Sequence, residues 1–454
     1  MSLQLVGWWG VLAPLLFAPL VYALRRRRPG AWLAALVCLG SAYALLAGAP
    51  KETVYLLGRP LAFGLVWAHG MALLLVAAAC LFLFAASVSQ GWSFYPFGLV
   101  ILTLLGTAMA AGPLSLSALL VEAAALLAVF IIQGGRPGSV RGATRFLVMM
   151  TLATPLFLLA TWQAELYRAT LETPALPVQV ALLVAGGFGL WMGAAPLHGW
   201  LSAVAMDAKP GVAAFVFIAF PAAATIILLR LLADLPWLMD VPHANEVLIL
   251  AGLFSAGAGG LFAAAQKGVG PLMGYATLFD VGNSLVALGM GTQAGLMLVL
   301  YTTLVRVIAL SLIGLAGGFL QREGRGDSFE QARGLARHRP LAAVGLMVGG
   351  ATLAGAPLTA GFISRWLLLQ ALVEVDSRWP VIIALGGLGV ATGFVRALRR
   401  LLAPAPPAPP PERAWLPNAL IAGLSALCLG IGLFPQPVLD TVKTLARAMH
   451  IPVL

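Results

Sequence analysis

Apolar runs of about 20 residues recur from one end of this chain to the other, separated by short segments that hold most of its charge. Wound as a helix at 1.5 Å rise per residue, such a run crosses the roughly 30 Å hydrocarbon core of a bilayer. A water-soluble domain is excluded by composition. Only 9% of the 454 residues are charged and 61% are hydrophobic, whereas a soluble domain carries about 25% charge to wet its surface. Lipid therefore has to be the solvent for most of the outside. The 51 Gly and 30 Pro are embedded in apolar runs, as membrane helices tolerate. The net charge of +11 does not mark a nucleic-acid binder, because Arg and Lys gather in short clusters between the runs. Cys38, Cys80 and Cys428 all lie inside apolar runs without metal-ligand spacing, implying neither a disulfide framework nor a zinc site.

The runs fall at residues 5–24, 31–49, 61–88, 94–111, 114–132, 146–162, 178–195, 211–230, 247–265, 271–290, 294–320, 341–375, 381–398 and 414–434. This predicts an all-α polytopic membrane protein with about 14 transmembrane helices. The first run is followed, not preceded, by its basic cluster at 25–28, so it reads as a retained helix and not a cleaved leader. The twelfth is too long for one straight helix and carries Gly355 and Pro357 at its middle; the seventh has a similar interruption from Gly193 to Pro196. Proline removes a backbone donor and clashes with the preceding turn, so helices 7 and 12 are expected to be broken at mid-membrane.

Charge between the runs orients the chain. Segments after odd-numbered helices hold about 17 basic residues and those on the opposite face about 7, which puts both termini on the outer side of a cytoplasmic (inner) membrane. The proline-rich stretch at 404–411 reads as a stiff connector before the last helix, or as a recognition ligand. The residues after 434 are too few for a long lateral helix.

Ionisable side chains at membrane depth are costly, so each is a functional candidate. Those inside the runs are Glu122, Asp280, Arg306, Arg365 and Arg396, with His69 and His198 as further candidates. There is no phosphate loop, nucleophile triad, haem-attachment motif or metal-ligand pair, so no catalytic centre, cofactor or metal of the chain's own is expected. No basic residue lies within a helical turn of Glu122, so its partner must come from another helix. It serves either a transport path or a hydrogen bond between two helices.

Three stretches resemble the antiporter-like membrane subunits of respiratory complex I and their relatives in membrane-bound hydrogenases, multi-subunit cation/proton antiporters and inorganic-carbon uptake complexes. They are the Glu122-bearing fifth helix; Ala-Pro-Leu-His-Gly-Trp-Leu at 195–201, followed by Lys209 and Pro210; and Leu-Ala-Gly-Ala-Pro-Leu-Thr-Ala-Gly-Phe-Ile-Ser-Arg-Trp at 353–366. The likeness runs through helices 3 to 14 in order and spacing and is most specific in the twelfth-helix stretch. It implies two five-helix repeats of inverted topology, at 94–231 and 247–402, flanked by a three-helix segment at 1–93 and by the connector and last helix at 403–454. It also implies a proton path through Glu122, Asp280, Arg306, Arg365 and His198, with breaks at Pro196, Gly355 and Pro357.

The sequence departs from that pattern. The family's seventh-helix lysine falls near Trp191 and its eighth-helix lysine near Pro221, so the first repeat keeps Glu122 without the expected base. The usual Pro-Asp is Ser202-Ala203, with Asp207 as a substitute. The twelfth-helix lysine matches Arg365, the eleventh-helix lysine lies near Arg306, and the tenth-helix histidine lies near Asp280. Arginine keeps its proton, so Arg365 suits a fixed charge better than a carrier. Its bland role, like that of Arg306, is a structural pairing with Asp280 or with carbonyls. Arg396 is expected to reach the basic face with Arg399 and Arg400. The implied function is proton translocation within a complex I-related assembly of membrane subunits, moving protons or sodium. The alternatives are a non-pumping structural subunit and a subunit of a cation/proton antiporter, or a stand-alone exchanger.

Overall fold

A computed structural model of the chain describes residues 3–48, 53–56, 58–134, 139–170, 175–324, 326–404, 414–449 and 451. The helices before the first break are α1 (Leu3–Ala23), α2 (Arg28–Gly48), α3 (Leu65–Ala85), α4 (Phe94–Ala110), α5 (Leu114–Gln133), α6 (Arg141–Thr170) and α7 (Ala175–Met192). The chain continues through α8 (Gly199–Asp207), α9 (Pro210–Asp234), α10 (Ala244–Ala265), α11 (Val269–Gly289), α12 (Gln293–Gly324), α13 (Leu335–His338) and α14 (Pro340–Ala354). It ends with α15 (Ala360–Val375), α16 (Trp379–Leu402), α17 (Trp415–Leu433) and α18 (Gln436–Ala448). Every expected span is present as a helix. The seventh is split into α7 and α8, and the twelfth into α14 and α15.

Among the described residues, ten helices are long and apolar enough to cross a membrane, and Gly7–Ala23, Phe94–Ala110 and Pro340–Ala354 are apolar but shorter. The remaining crossing helix, α11, has 21 residues, but Asp280, Asn283 and Ser284 dilute its apolar content. A span with a polar middle thus holds the candidate carboxylate.

Contacts between the connecting segments sort them into two ends. At one end the Lys209 ammonium donates to Ser89 O at 2.7 Å, Arg322 donates to Ser87 O at 2.9 Å, and Phe329 N donates to Lys267 O at 2.8 Å. At the other, Arg168 donates to Asp234 O at 3.0 Å and Arg230 to Met109 O at 2.7 Å. In these contacts segments after odd-numbered spans meet one another, as in a path of fourteen crossings. Most packed helix pairs within α4–α9 have a counterpart five spans later: α4 with α5 and with α9 correspond to α10 with α11 and with α16. An odd offset reverses chain direction, so the two sets are inverted relative to each other. At their junction, α9 is buried along its whole length and packs against α3, α4, α5, α11 and α12.

Three elements differ from the expected spans. β1 (Val54–Leu56) pairs antiparallel with β2 (Arg59–Leu61) as a hairpin, so the third helix begins at Leu65 instead of residue 61. The hairpin covers the end of α4, where Ala62 N donates to Ala110 O at 2.7 Å and Gly112 N to Pro60 O at 2.8 Å. α6 runs beyond 146–162 at both ends. After α17, the amphipathic α18 buries Leu439, Val442 and Ala446 against α3 and α12. Most of the proline-rich connector, residues 405–411, lies outside the described residues, as do Arg136, Arg325 and Arg413 from the charge tally.

Candidate functional site

The break between α14 and α15 creates the site. Gly355 takes the left-handed conformation, φ 80°, ending α14 and leaving carbonyls of its last turn without helical partners. Leu358 follows with φ 68°, and Thr359 Oγ1 donates to Ala356 O at 2.7 Å. On the far side, Tyr301 of α12 donates its hydroxyl to Ala360 O at 3.1 Å. A Cβ on Gly355 would lie 2.2 Å from Arg365 Cγ, so this glycine supplies both the turn and the room for the arginine.

Arg365, one and a half turns into α15, folds back across the break. Its Nη2 donates to Leu353 O at 3.2 Å and to Asp280 Oδ1, and its guanidinium lies 5.1 Å from the centre of the Phe279 ring. The cation thus meets the negative end of α14, a carboxylate and an aromatic face together. From α12, Arg306 donates Nε to Asp280 Oδ2 at 2.6 Å and Nη2 to Ser284 Oγ at 2.7 Å. Ser284 in turn donates to Asp280 O at 3.2 Å. Asp280 is 0% exposed, Arg306 1% and Arg365 5%. Burying three ions is tolerable only with such complete pairing. The pairing role of both arginines is met, with two cations on one carboxylate. Arg365 Nε and Asn283 Oδ1, beside the trio, are buried without a protein partner among the described residues.

The first break is closed by neutral groups. The Ala195–Pro196 peptide is cis, Ala195 N donates to Ser255 Oγ of α10 at 3.0 Å, and the Trp200 indole donates to Leu190 O at 3.0 Å. His198 lies there beside the paired rings of Phe262 and Tyr275, 6.2 and 6.3 Å away, and makes no hydrogen bond or ring contact with the ion trio among the described residues. Replacing Trp200 by Phe should strand the buried Leu190 carbonyl and lower stability by about 1–3 kcal/mol, read as a lower melting temperature of the purified chain.

Trp191, near which the resemblance puts the seventh-helix lysine, is 1% exposed and packs on Phe157 at 4.4 Å and Phe188 at 5.6 Å between ring centres. Pro221 is equally buried inside the apolar α9. Asp207 accepts from Gly142 N at 2.6 Å and ties α8 to the start of α6, a structural link. Arg396 donates to Ala264 O at the end of α10, at the basic end of the bundle. His69 Nδ1 bonds Leu65 O at 2.9 Å within its own helix.

Glu122 stands apart. It lies on the outward stripe of α5 with Leu119, Leu126 and Phe130, which are 53%, 50% and 52% exposed. It makes no hydrogen bond or ion pair among the described residues. The structure therefore joins Asp280, Arg306 and Arg365 and leaves Glu122 and His198 separate. Sequence reasoning missed Ser284, Phe279, Tyr301 and Ser255. Ser284 had a signal, since it lies four residues after Asp280 on one helix face.

Comparison with known proteins bears on the family and the fold. Residues 126–391 match the family described as NADH:quinone oxidoreductase/Mrp antiporter, transmembrane. Subunit N of an NADH-quinone oxidoreductase from Rhodopseudomonas palustris is 31% identical over 267 residues, covering 57% of this chain and 57% of the relative. The match thus spans little more than half of that relative's length. A chain of the Mrp complex from a Dietzia species superposes with TM-score 0.84 at 18% identity, covering 98% of both chains. A chain of respiratory complex I from Thermus thermophilus gives 0.82 at 23% identity, covering 97% of this chain and 98% of that one. These two likenesses concern the fold. With the family match extending over more than half its length, the chain belongs to the NADH:quinone oxidoreductase/Mrp antiporter membrane family.

Proposed function

We propose that this chain is an antiporter-like membrane subunit of a complex I-related assembly and that its second five-helix unit carries a proton step. The observation that carries the proposal is the fully buried Asp280–Arg306–Arg365 trio at a mid-membrane helix break. Arginine is a fixed charge and not a proton carrier, so on this reading the carboxyl of Asp280, paired with both arginines, is the carrier. Arg365 has two acceptors, the Asp280 carboxylate and the Leu353 carbonyl. When it turns wholly to the carbonyl, Oδ1 of Asp280 is freed to take a proton; when it returns, the proton is expelled. Arg365 Nε and Asn283 Oδ1 supply the polar surroundings that water needs to reach the carboxylate. The transported ion on this reading is the proton, although sodium would meet the same carboxylate.

The chain then works among other membrane subunits, as do the proteins it resembles, in a bacterial inner membrane with both termini outward. Its units are 94–231 and 247–402, flanked by 1–93 and 403–454. A carboxylate on an outward membrane stripe is costly, so a neighbouring subunit covers the Glu122 face of α5. A second reading, a non-pumping structural subunit, is favoured by the first unit having Trp191 and Pro221 near the places where the resemblance expects lysines.

The two readings part on Asp280→Asn in the assembled complex, with proton translocation measured per turnover in inverted vesicles and normalised to assembled subunit. The proton reading expects loss of translocation, with Arg365→Lys giving an altered pH profile. Full coupling in Asp280→Asn would leave the structural reading. Normal assembly and translocation in Glu122→Gln would remove that residue from the path.

A further inference from the structure

At the basic end of the bundle, away from the ion trio, three segments enclose a cavity of about 580 Å³. One wall is two strapped loops: Gly268 bridges Ser328, Phe329 N donates to Lys267 O at 2.8 Å and Val269 N to Asp327 O at 3.2 Å. The other wall is the last turn and a half of α16, where Arg396, Arg399 and Arg400, spaced three and four apart, share a face. Four cations, Lys267, Arg396, Arg399 and Arg400, line the space against one carboxylate, Glu330. That carboxylate is already engaged by Arg400 at 3.3 Å and Arg333 at 3.4 Å. Arg396 is fixed on the Ala264 carbonyl. Lys267 and Arg399 have no ion pair among the described residues. The cavity therefore holds an uncompensated excess of positive charge, within the roughly 300–1,000 Å³ range of ligand sites.

An apolar surface leads to its mouth. Leu250, Phe254 and Leu261 of α10 and Leu385, Leu388, Val395 and Leu402 of α16 are all exposed. The two helices touch backbone to backbone, since a Cβ on Gly260 would meet Gly386 Cα at 2.3 Å, so the stripe has no gap. Side chains facing lipid that end at a cationic cavity present an acyl-chain track and a headgroup seat in register.

We propose that this cavity binds a phosphate group, that of an anionic phospholipid whose chains lie on the α10–α16 stripe or that of free inorganic phosphate. Guanidinium forks match phosphate oxygens with paired hydrogen bonds, and basic pockets between membrane helices hold anionic headgroups by this chemistry. The full-length chain, stripped of lipid in mild detergent, would be titrated with phosphatidylglycerol, with phosphatidylcholine of the same acyl chains and with inorganic phosphate, reading the melting temperature and bound lipid by native mass spectrometry.

Phosphatidylglycerol is expected to raise the melting temperature saturably and phosphatidylcholine not to. Lys267→Gln with Arg399→Gln, both exposed, is expected to weaken that binding at least about tenfold without altering the ligand-free melt. Lys267→Arg with Arg399→Lys, preserving charge, is expected to retain it. Equal stabilisation and displacement of the lipid by inorganic phosphate would assign the seat to the free anion. Equal action of the two lipids with no effect of phosphate, or undiminished binding by the Gln variant, would overturn the proposal.

Discussion

Asp280→Ala is expected to prevent the chain from accumulating in folded form. Removing the carboxylate leaves Arg306 and Arg365 facing each other, both buried and both deprived of their shared counter-ion. Breaking one buried ion pair by deleting a partner costs about 3–5 kcal/mol, and here one deletion strands two ions. That approaches the ~5–15 kcal/mol by which whole proteins are stable. The measurement is the yield and melting temperature of full-length protein in mild detergent. A rescue distinguishes charge from shape: Asp280→Leu combined with Arg306→Met and Arg365→Met removes all three ions. Apolar replacements of similar volume are expected to restore most of the stability. The rescued protein should be folded and unable to translocate protons. A single Asp280→Ala variant that melts with the parent would mean that the trio contributes nothing to the fold.

The helices were legible because each apolar run had to be about as long as the bilayer is thick, and the breaks because Pro196, Gly355 and Pro357 sit where a continuous helix would otherwise run. The β1–β2 hairpin was not legible, since its few residues merge into the next apolar run. α18 was hidden for a different reason. Its Leu439, Val442 and Ala446 face is apolar only at helical spacing, so the segment does not read as a hydrophobic run. The candidate ions were visible as residues, but Asp280 lies 26 positions from Arg306 and 85 from Arg365. Their meeting is a property of packing that neither separation encodes.

Glu122 shows the reverse case, a signal present and unused. On α5 the small residues Ala118, Ala125 and Ala128 are buried, whereas the large Leu119, Leu126 and Phe130 face out. Small residues let helices approach closely in a membrane, and large ones are left to lipid or to a partner. Glu122 falls in register with the large set.

Gly355→Val should reproduce much of the Asp280→Ala defect without touching a charged residue. The left-handed conformation at this position costs an L-residue about 1–2 kcal/mol, and a β-branched side chain tolerates it poorly. The larger effect is steric. With its Cβ 2.2 Å from Arg365 Cγ, the new side chain forces the arginine out of the break. Arg365 then loses Asp280 and Leu353 O together, adding a penalty on the order of the 3–5 kcal/mol of a broken buried pair. The two contributions separate in a double-mutant cycle. In an Arg365→Met background no guanidinium remains to be evicted, so Gly355→Val should cost little beyond its backbone strain, and the two substitutions should be strongly non-additive. Melting temperatures of the four proteins read this directly. Additive losses would mean that Gly355 serves the turn alone. A coupling of several kcal/mol would show that the glycine at the break leaves space for the ion that crosses it, so that helix geometry and charge placement at this point are one structural device.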